Sequence, residues 1–208
     1  IIVVDPRKSE TAMNADYWYG LKHRSDLLLF YTIANQLIEK DYLDHKFIEE
    51  HTEKFKDFKE FVKGYTLERG VKGTGLSEEQ ILEFVELIHS GKKVSFWWTM
   101  GVNQGYEAVR TAQAIINIAL MTGNIGKPGT GANSITGQCN AMASRAYSNT
   151  AVFYGGGDFT NPARRARIAE VLGVDESKLA EKPTKTYNQI IEGINAGEIK
   201  GLWILCTN

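Results

Sequence analysis

Short apolar runs alternate with amphipathic stretches along this chain. Residues 1–4, 94–98 and 202–205 are nearly continuous apolar runs, a pattern typical of parallel strands covered on both faces. Between them, apolar residues recur at helical spacing, and Ser25-Asp26 and Ser77 with Gln80 provide N-cap signals. Helices are predicted from 26, from 44, over 55–62, 78–88, 106–121, 164–172 and 186–196. Strands separated by helices predict an α/β fold with a parallel sheet and flanking helices.

Charge and hydropathy exclude several classes of function. The 208 residues carry a formal net charge of −1, so the clustered positive charge of a nucleic-acid or acidic-membrane surface is not expected. The longest apolar candidate, 112–121, contains Gln113 and Asn117 and is shorter than the roughly 18–20 residues that span a bilayer. We therefore predict neither nucleic acid nor membrane as a partner.

Cysteine and histidine usage gives no metal signal. Cys139 and Cys206 form no CxxC pair, and the four histidines lack metal-ligand spacing. Two free thiols fit a reducing compartment, so we expect a cytoplasmic protein with no metal ligand among these residues.

The charged residues are distributed unevenly. Residues 1–93 contain 31 charged side chains, whereas residues 94–150 contain four. A segment this poor in charge is expected to be shielded from water by protein or by a bound ligand. Within it, Gly123, Gly126, Gly129, Gly131 and Gly137 punctuate a polar, glycine-rich loop. An ordinary connector with positive φ turns would explain those glycines, although it would not explain the missing charges.

Two segments follow predicted strands, where ligands bind in doubly wound folds. Asp5 could accept hydrogen bonds from a ribose or a purine, or it could cap the next turn. In residues 99–105, Gly101 and Gly105 would let backbone approach a ligand, and a helix beginning near Tyr106 would offer free N–H groups to an anion. Core filling by Met100 and loop capping by Asn103 and Gln104 are the alternatives.

The glycine-rich segments do not match common nucleotide motifs. Gly126-Lys127 is followed by Pro128, so no P-loop is present, and GxGxxG is also absent. In residues 136–142 (TGQCNAM), uncharged donors and acceptors suit a polar heterocycle in a dry cleft, with Cys139 as a buried residue and not a nucleophile. Arg145 either binds an oxyanion or makes a structural ion pair.

Four motifs together carry a family resemblance: residues 4–7 (VDPR), 99–104 (TMGVNQ), 122–129 (TGNIGKPG) and 136–142 (TGQCNAM). In this order they resemble the molybdopterin oxidoreductase family, which includes formate dehydrogenases, nitrate reductases and dimethyl sulfoxide reductase. The resemblance implies a Rossmann-like parallel sheet from the central domains of that fold. Residues 1–138 would be a molybdopterin-dinucleotide-binding domain, incomplete at its N-terminus, and residues 139–208 part of the adjacent α/β domain.

The particular residues in these motifs favour one branch of the family. Residues 136–142 and 158–162 (DFTNP) resemble cytoplasmic assimilatory nitrate reductases, and formate dehydrogenases typically carry Arg where Thr136 stands. Ala143 departs from the nitrate-reductase pattern, which usually has Gly there. The resemblance thus implies a fragment of an enzyme that reduces nitrate to nitrite with an electron-donor protein or subunit. A formate dehydrogenase α subunit and a nucleotide-binding module without catalysis are the alternatives.

The resemblance also implies cofactors. The parent enzyme would hold two molybdopterin guanine dinucleotides on one molybdenum, plus a [4Fe–4S] cluster, with the metal ligands upstream of Ile1. The 208 residues alone are expected to bind none of these stably and to be inactive. Arg145 and Thr136 would lie in the substrate pocket, Arg145 orienting nitrate. The implied cofactor-binding residues are Asp5, Arg7, Met100, Gly101, Gln104, Gly137, Gln138 and Asn140. Backbone amides in the charge-poor segment would hold the pyrophosphate.

Overall fold

The computed structural model describes residues 1–138, 140–146 and 153–204, which belong to two compact units, Ile1–Gly137 and Gln138–Asn208. The first unit contains β1 (Ile2–Val4), α1 (Glu10–Met13), β2 (Tyr17–Tyr19), α2 (Asp26–Glu39), α3 (His45–His51), α4 (Phe55–Val62), α5 (Leu67–Thr74), α6 (Glu78–Ser90), β3 (Ser95–Trp98), α7 (Met100–Asn103), α8 (Ala108–Met121) and β4 (Gly131–Ser134). The second contains α9 (Ala141–Ala146), α10 (Pro162–Leu172), a 3₁₀ turn (Glu176–Lys178) and α11 (Tyr187–Asn195).

The strands form two parallel pairs. β1 pairs with β2, with Val3 opposite Trp18, and β3 pairs with β4, with Trp97 opposite Asn133. The connection from β3 to β4 passes through α7 and α8, the crossover that parallel strands require. The predicted α/β class with parallel strands and flanking helices is confirmed. The chain pattern missed β2 and β4, which are short, and β4 begins at a glycine; pairing with a neighbouring strand overrides weak local propensity.

Helix α2 is the centre of the first unit. Its residues from Leu29 to Ile38 are all buried, and α4, α5, α6 and α8 pack around it. The close approach of α5 depends on glycine: a Cβ at Gly70 would lie 2.6 Å from Thr32 Cγ2. A helix buried on every side needs neighbours on every side, so α2 fixes where the other helices lie.

The helix caps in the structure agree only in part with those predicted from the sequence. Ser77 and Gln80 form the predicted capping box of α6, and the Asp44 carboxylate accepts from the Phe47 N–H at 3.0 Å. Ser25 is the N-cap residue of α2, as predicted, but its hydroxyl donates to the Lys22 carbonyl at 2.5 Å and does not bond a helix N–H. Helix α8 begins at Ala108, two residues after the predicted start.

The second unit is organised around Arg165, which is 8% exposed. Its guanidinium donates to the carbonyls of Phe159, Leu179 and Ala180, and pairs with Glu176 at 3.2 Å. These bonds join α10 to the segment that follows it. The predicted last strand is not formed over residues 202–204, which are 54%, 86% and 58% exposed and have no neighbouring strand; residues 205–208 lie outside the described part.

The sequence predicts no membrane-spanning helix. Within the described ranges, no helix combines the length and the apolar content needed to cross a bilayer.

Arg165→Leu is expected to destabilise the second unit by at least about 3 kcal/mol, because it leaves several buried carbonyls and Glu176 without their charged donor. Urea unfolding measures this loss. Arg167→Leu is the matched control, since Arg167 lies on the same helix but is exposed, with a surface ion pair to Glu170. Equal midpoints for the two variants would contradict the role of Arg165.

Candidate functional site

A cleft of about 1080 Å³ lies in the first unit between β1 and β3. The two strands form its sides, with Ile2 and Val4 on one and Phe96 and Trp98 on the other. Helices contribute further apolar lining: Phe30 from α2, Phe84 and Ile88 from α6, and Ile115 from α8. Polar residues at the carboxyl ends of the two strands also line it. These are Asp5, His23, Arg24, Asp26, Thr99 and Glu107. The site is thus apolar between the strands and polar at their ends.

Asp5 is held rigidly at the end of β1. Its backbone N–H donates to the Tyr19 carbonyl at 3.3 Å, and its own carbonyl accepts from Trp18 Nε1 at 2.9 Å. Carboxylate oxygen Oδ1 accepts from the Arg7 N–H at 2.7 Å. Asp5 therefore caps the turn and also lines the cleft, where its second oxygen can accept from a ligand. The Arg7 side chain is exposed and is not part of the cleft lining.

Three further residues at this end escaped the sequence analysis: His23, Arg24 and Asp26. Burial raises the pKa of Asp26, the negative charge of Asp5 raises it further, and His23 opposes both effects. Arg24 has φ = 63°, a conformation that non-glycine residues seldom adopt and that recurs at functional sites. Of these three residues, only Asp26 gave a signal in the sequence, as an acid at a predicted helix start, and that signal indicates a helix cap and not a binding site.

The segment after β3 brings Gly101 into the cleft. No atom lies within 4 Å of a Cβ built at Gly101, and its φ is not positive, so neither packing nor backbone conformation requires glycine there. A side chain at this position would meet open space at the edge of the cleft. Met100 is 37% exposed, and neither Met100 nor Gln104 is part of the cleft lining.

Asn103 has a structural role at the same end. Its Oδ1 accepts from Trp98 Nε1 and its Nδ2 donates to Ser134 Oγ, each at 3.0 Å. The side chain thus ties α7 to the ends of β3 and β4. Both bonds join side chains, so Asn103 is structural without capping a backbone group, and it fixes the loop that presents Gly101.

The expected anion site at the start of the long helix is not supported. The Ala108 N–H already donates to the Gly105 carbonyl at 3.2 Å, and the Glu107 carboxylate lies at the N-cap position. A negative side chain there repels a phosphate. The helix start also lies later in the chain than the sequence predicted, because α7 intervenes between β3 and α8.

The glycine-rich loop before β4 lies at the other end of β3, which corrects the expectation that it wraps a ligand in this cleft. Asn124 is buried, and its Oδ1 accepts from the Val94 N–H at the start of β3, at 2.9 Å. Gly123 has φ = 65°, and any Cβ there would overlap the Asp44 carboxylate. Positive φ at Gly123, Gly126, Gly129 and Gly131, with close packing at Gly123, explains these glycines, as the connector interpretation held.

The remaining site predictions fall on residues 136–145. Thr136 is half-buried and Gly137 is exposed, with nothing within 4 Å of a built Cβ. Gln138 and Asn140 are exposed and belong to the second unit. Cys139 and the side chain of Arg145 lie outside the described residues. In the part of the chain that is described, no group of three His, Cys, Asp or Glu side chains could hold a metal ion.

Comparison with known proteins identifies the class. A family model described as molybdopterin oxidoreductase matches residues 1–208, and the chain belongs to this family. It is 32% identical over 209 residues to a nitrate reductase of Synechocystis sp., and this alignment covers all of this chain and 29% of that protein. It is 35% identical over 176 residues to formate dehydrogenase H of Escherichia coli, and this alignment covers 84% of this chain and 25% of that protein.

A solved structure supports the fold. Acetylene hydratase from Pelobacter acetylenicus superposes with a TM-score of 0.59 at 24% identity, over 62% of this chain and 18% of that one. The likeness concerns the fold alone. The chain spans less than a third of the length of the curated relatives described above.

Asp26→Asn is expected to stabilise the protein at neutral pH. Because the folded pKa of Asp26 is raised above 3.8, its carboxyl favours folding fully below that value and loses this contribution as pH rises through the folded pKa. The gain in thermal midpoint from the substitution should therefore appear as pH rises and vanish in acid. Glu49→Gln, at an exposed position of α3, is the control and should show no such gain. A loss of stability for Asp26→Asn at every pH would contradict the expected sign.

Proposed function

We propose that residues 1–138 form part of a molybdopterin guanine dinucleotide site in a molybdenum-dependent nitrate reductase that acts in nitrate assimilation. The observation that carries this proposal is the cleft between β1 and β3, with Asp5 at the end of one strand and the open Gly101 position after the other. Family membership supplies the cofactor class, a molybdenum–pterin group. The volume, about 1080 Å³, is adequate for a large organic cofactor.

The chemistry of the lining fits such a group. Guanine and ribose present N–H and O–H donors, and the free oxygen of Asp5 is an acceptor held at fixed geometry. Thr99, Gly101 and Val102 add an uncharged surface on the opposite side, where backbone can approach a ligand closely. Asp26 lies near Asp5 and disfavours a second negative charge, which suits a neutral base or sugar at this end better than a phosphate.

Each residue then has a distinct role. Asp5 would accept from the guanosine moiety, and Gly101 would leave room for the pterin–pyrophosphate part. Met100, Gln104, Gly137 and Gln138 are proposed to extend that surface, Arg7 to flank the nucleotide end, and Thr136, Asn140 and Arg145 to face the substrate, by the family resemblance alone. When bound, the molybdenum cofactor supplies oxygen-atom transfer, and the protein contributes binding and orientation.

Nitrate is the proposed substrate because Thr136 replaces the Arg typical of formate dehydrogenases and because residues 136–142 resemble assimilatory nitrate reductases. A nitrate reductase among the relatives covers the whole chain. Formate oxidation is the second candidate, favoured by the similarity to formate dehydrogenase H. A cytoplasmic enzyme with a [4Fe–4S] cluster and an electron-donor protein completes the proposal. The 208 residues alone are proposed to be inactive.

Gly101→Leu in the full-length protein is expected to lower the bound pterin by about tenfold or more, because the side chain would occupy the cleft. Fluorescence of the released, oxidised pterin and molybdenum analysis measure the content. Gly64→Leu is the matched control, since Gly64 is exposed between α4 and α5, with only the Arg69 side chain nearby and no positive φ. Full pterin content in folded Gly101→Leu would overturn the assignment of this cleft.

The full-length protein is expected to reduce nitrate with a reduced dye as donor and not to oxidise formate. Turnover with nitrate, other oxyanions and formate measures this directly. Arg145→Gln should lower kcat/KM for nitrate by about 100-fold if the guanidinium orients the anion. Formate oxidation without nitrate reduction would replace the first candidate with the second.

A further inference from the structure

The loop after β3 (residues 99–105) has little packing to hold it in place. None of its residues is buried, and Val102 is the side chain that packs partly on the hydrophobic core. The backbone N–H groups of residues 102–105 all donate to carbonyls within the loop itself. A segment with so few contacts opens locally at a low free-energy cost unless side-chain bonds restrain it.

Asn103 makes the side-chain hydrogen bonds that restrain this loop. In the described part of the chain, the two bonds that connect the loop to the strands are both made by the Asn103 amide, to Trp98 Nε1 and to Ser134 Oγ at 3.0 Å each. The Trp98 carbonyl also accepts from the Ile135 N–H at 2.7 Å. The loop, the end of β3 and the end of β4 are therefore closed into one hydrogen-bonded ring.

The chemistry of the ring requires an amide at position 103. An indole N–H can only donate, so the amide oxygen must face Trp98, and the amide nitrogen is then left to donate to the Ser134 hydroxyl. The orientation of the Asn103 side chain is fixed by both partners. Neither Asn103 nor Ser134 lines the cleft, whereas Thr99, Gly101 and Val102 of the same loop do.

We propose that Asn103 is a positioning residue for the cofactor, and that Ser134 acts on the same site through it. This inference rests on the proposed function, since it takes the cleft between β1 and β3 as the pterin site. The two bonds hold the loop in the conformation that leaves the Gly101 position open. Fixing a loop in its binding conformation removes the ordering cost of binding, so a loop without these bonds would retain the cofactor less well.

Release of bound pterin from the full-length protein tests the proposal. Loaded protein is incubated below its unfolding temperature and filtered, and the pterin in the filtrate is oxidised and measured by its fluorescence. Asn103→Ala should release pterin about tenfold faster than the unsubstituted protein, because both bonds are lost, and Ser134→Ala about threefold faster, because one is lost. Unchanged release from Asn103→Ala would overturn the proposal.

The double variant tests whether the two residues act through one bond. Ser134→Ala should change the release rate less than twofold, roughly no effect, when Asn103→Ala is already present, because the bond is then absent. Effects of the two substitutions that multiply would show that Ser134 acts independently of Asn103 and would reject that part of the proposal.

Asn133→Ala is the matched control. Asn133 Nδ2 donates to Ser95 Oγ at 3.1 Å, so it also joins β3 to β4 through an Asn–Ser bond, but at the start of β3. Both Asn133 and Asn103 are half-buried. Asn133→Ala should lower the thermal midpoint without accelerating pterin release. Equal acceleration in the two variants would show a general loosening of the strand pair and would overturn the positioning role.

Gly101→Leu separates this inference from the proposed function. Low pterin content in Gly101→Leu together with unchanged release from Asn103→Ala would reject the positioning role alone. Full pterin content in folded Gly101→Leu would reject both, because the cleft would then not be the cofactor site. If Asn103→Ala takes up too little cofactor for its release to be followed, Ser134→Ala, which keeps the bond to Trp98, provides the measurement.

Discussion

Backbone pairing at strand edges is the constraint on which the first unit depends. A parallel strand that is covered by helices must form hydrogen bonds along both edges, because its N–H and C=O groups are shielded from water. In β1 and β3 one edge is bonded and the other borders the central cleft. Side chains of both strand pairs pack against one hydrophobic core, to which α2, α6 and α8 contribute buried residues. The cleft therefore exists because helix packing fixes the two pairs while no strand joins them.

The same geometry determines where ligand chemistry can occur. Loops at the carboxyl ends of parallel strands converge at one edge of a sheet, and ligands bind there. Asp5 and Gly101 follow β1 and β3 directly, so their proximity to one cleft is a consequence of parallel strand direction. The side chains that fix their backbones, Trp18 for Asp5 and Asn103 for the loop after β3, are structural residues that make the site rigid.

The charge-poor middle of the chain has two separate causes. Before β4, the loop carries one charge, Lys127, which pairs with Asp44 at 3.5 Å. The rest of the loop is uncharged and packs against Asp44 and against the start of β3, where buried Asn124 accepts from the Val94 N–H. After β3, the uncharged residues line an open cleft. The lack of charge in residues 94–150 therefore has two sources, which are packing in the loop before β4 and a candidate ligand site after β3. Linear sequence could not separate the two, because they lie at opposite ends of the same strand.

The sequence by itself determined the elements whose signals are local. The apolar run of β1, the capping box at Ser77 and the apolar spacing of α8 depend on neighbouring residues, and the motifs at 4–7, 99–104, 122–129 and 136–142 identified the family. Tertiary structure decided the rest. The short strands β2 and β4 form because partner strands are available, and His23, Arg24 and Asp26 join Asp5 because α2 starts beside the end of β1. These are contacts between residues far apart in the chain, and no local pattern encodes which distant backbone a segment will meet.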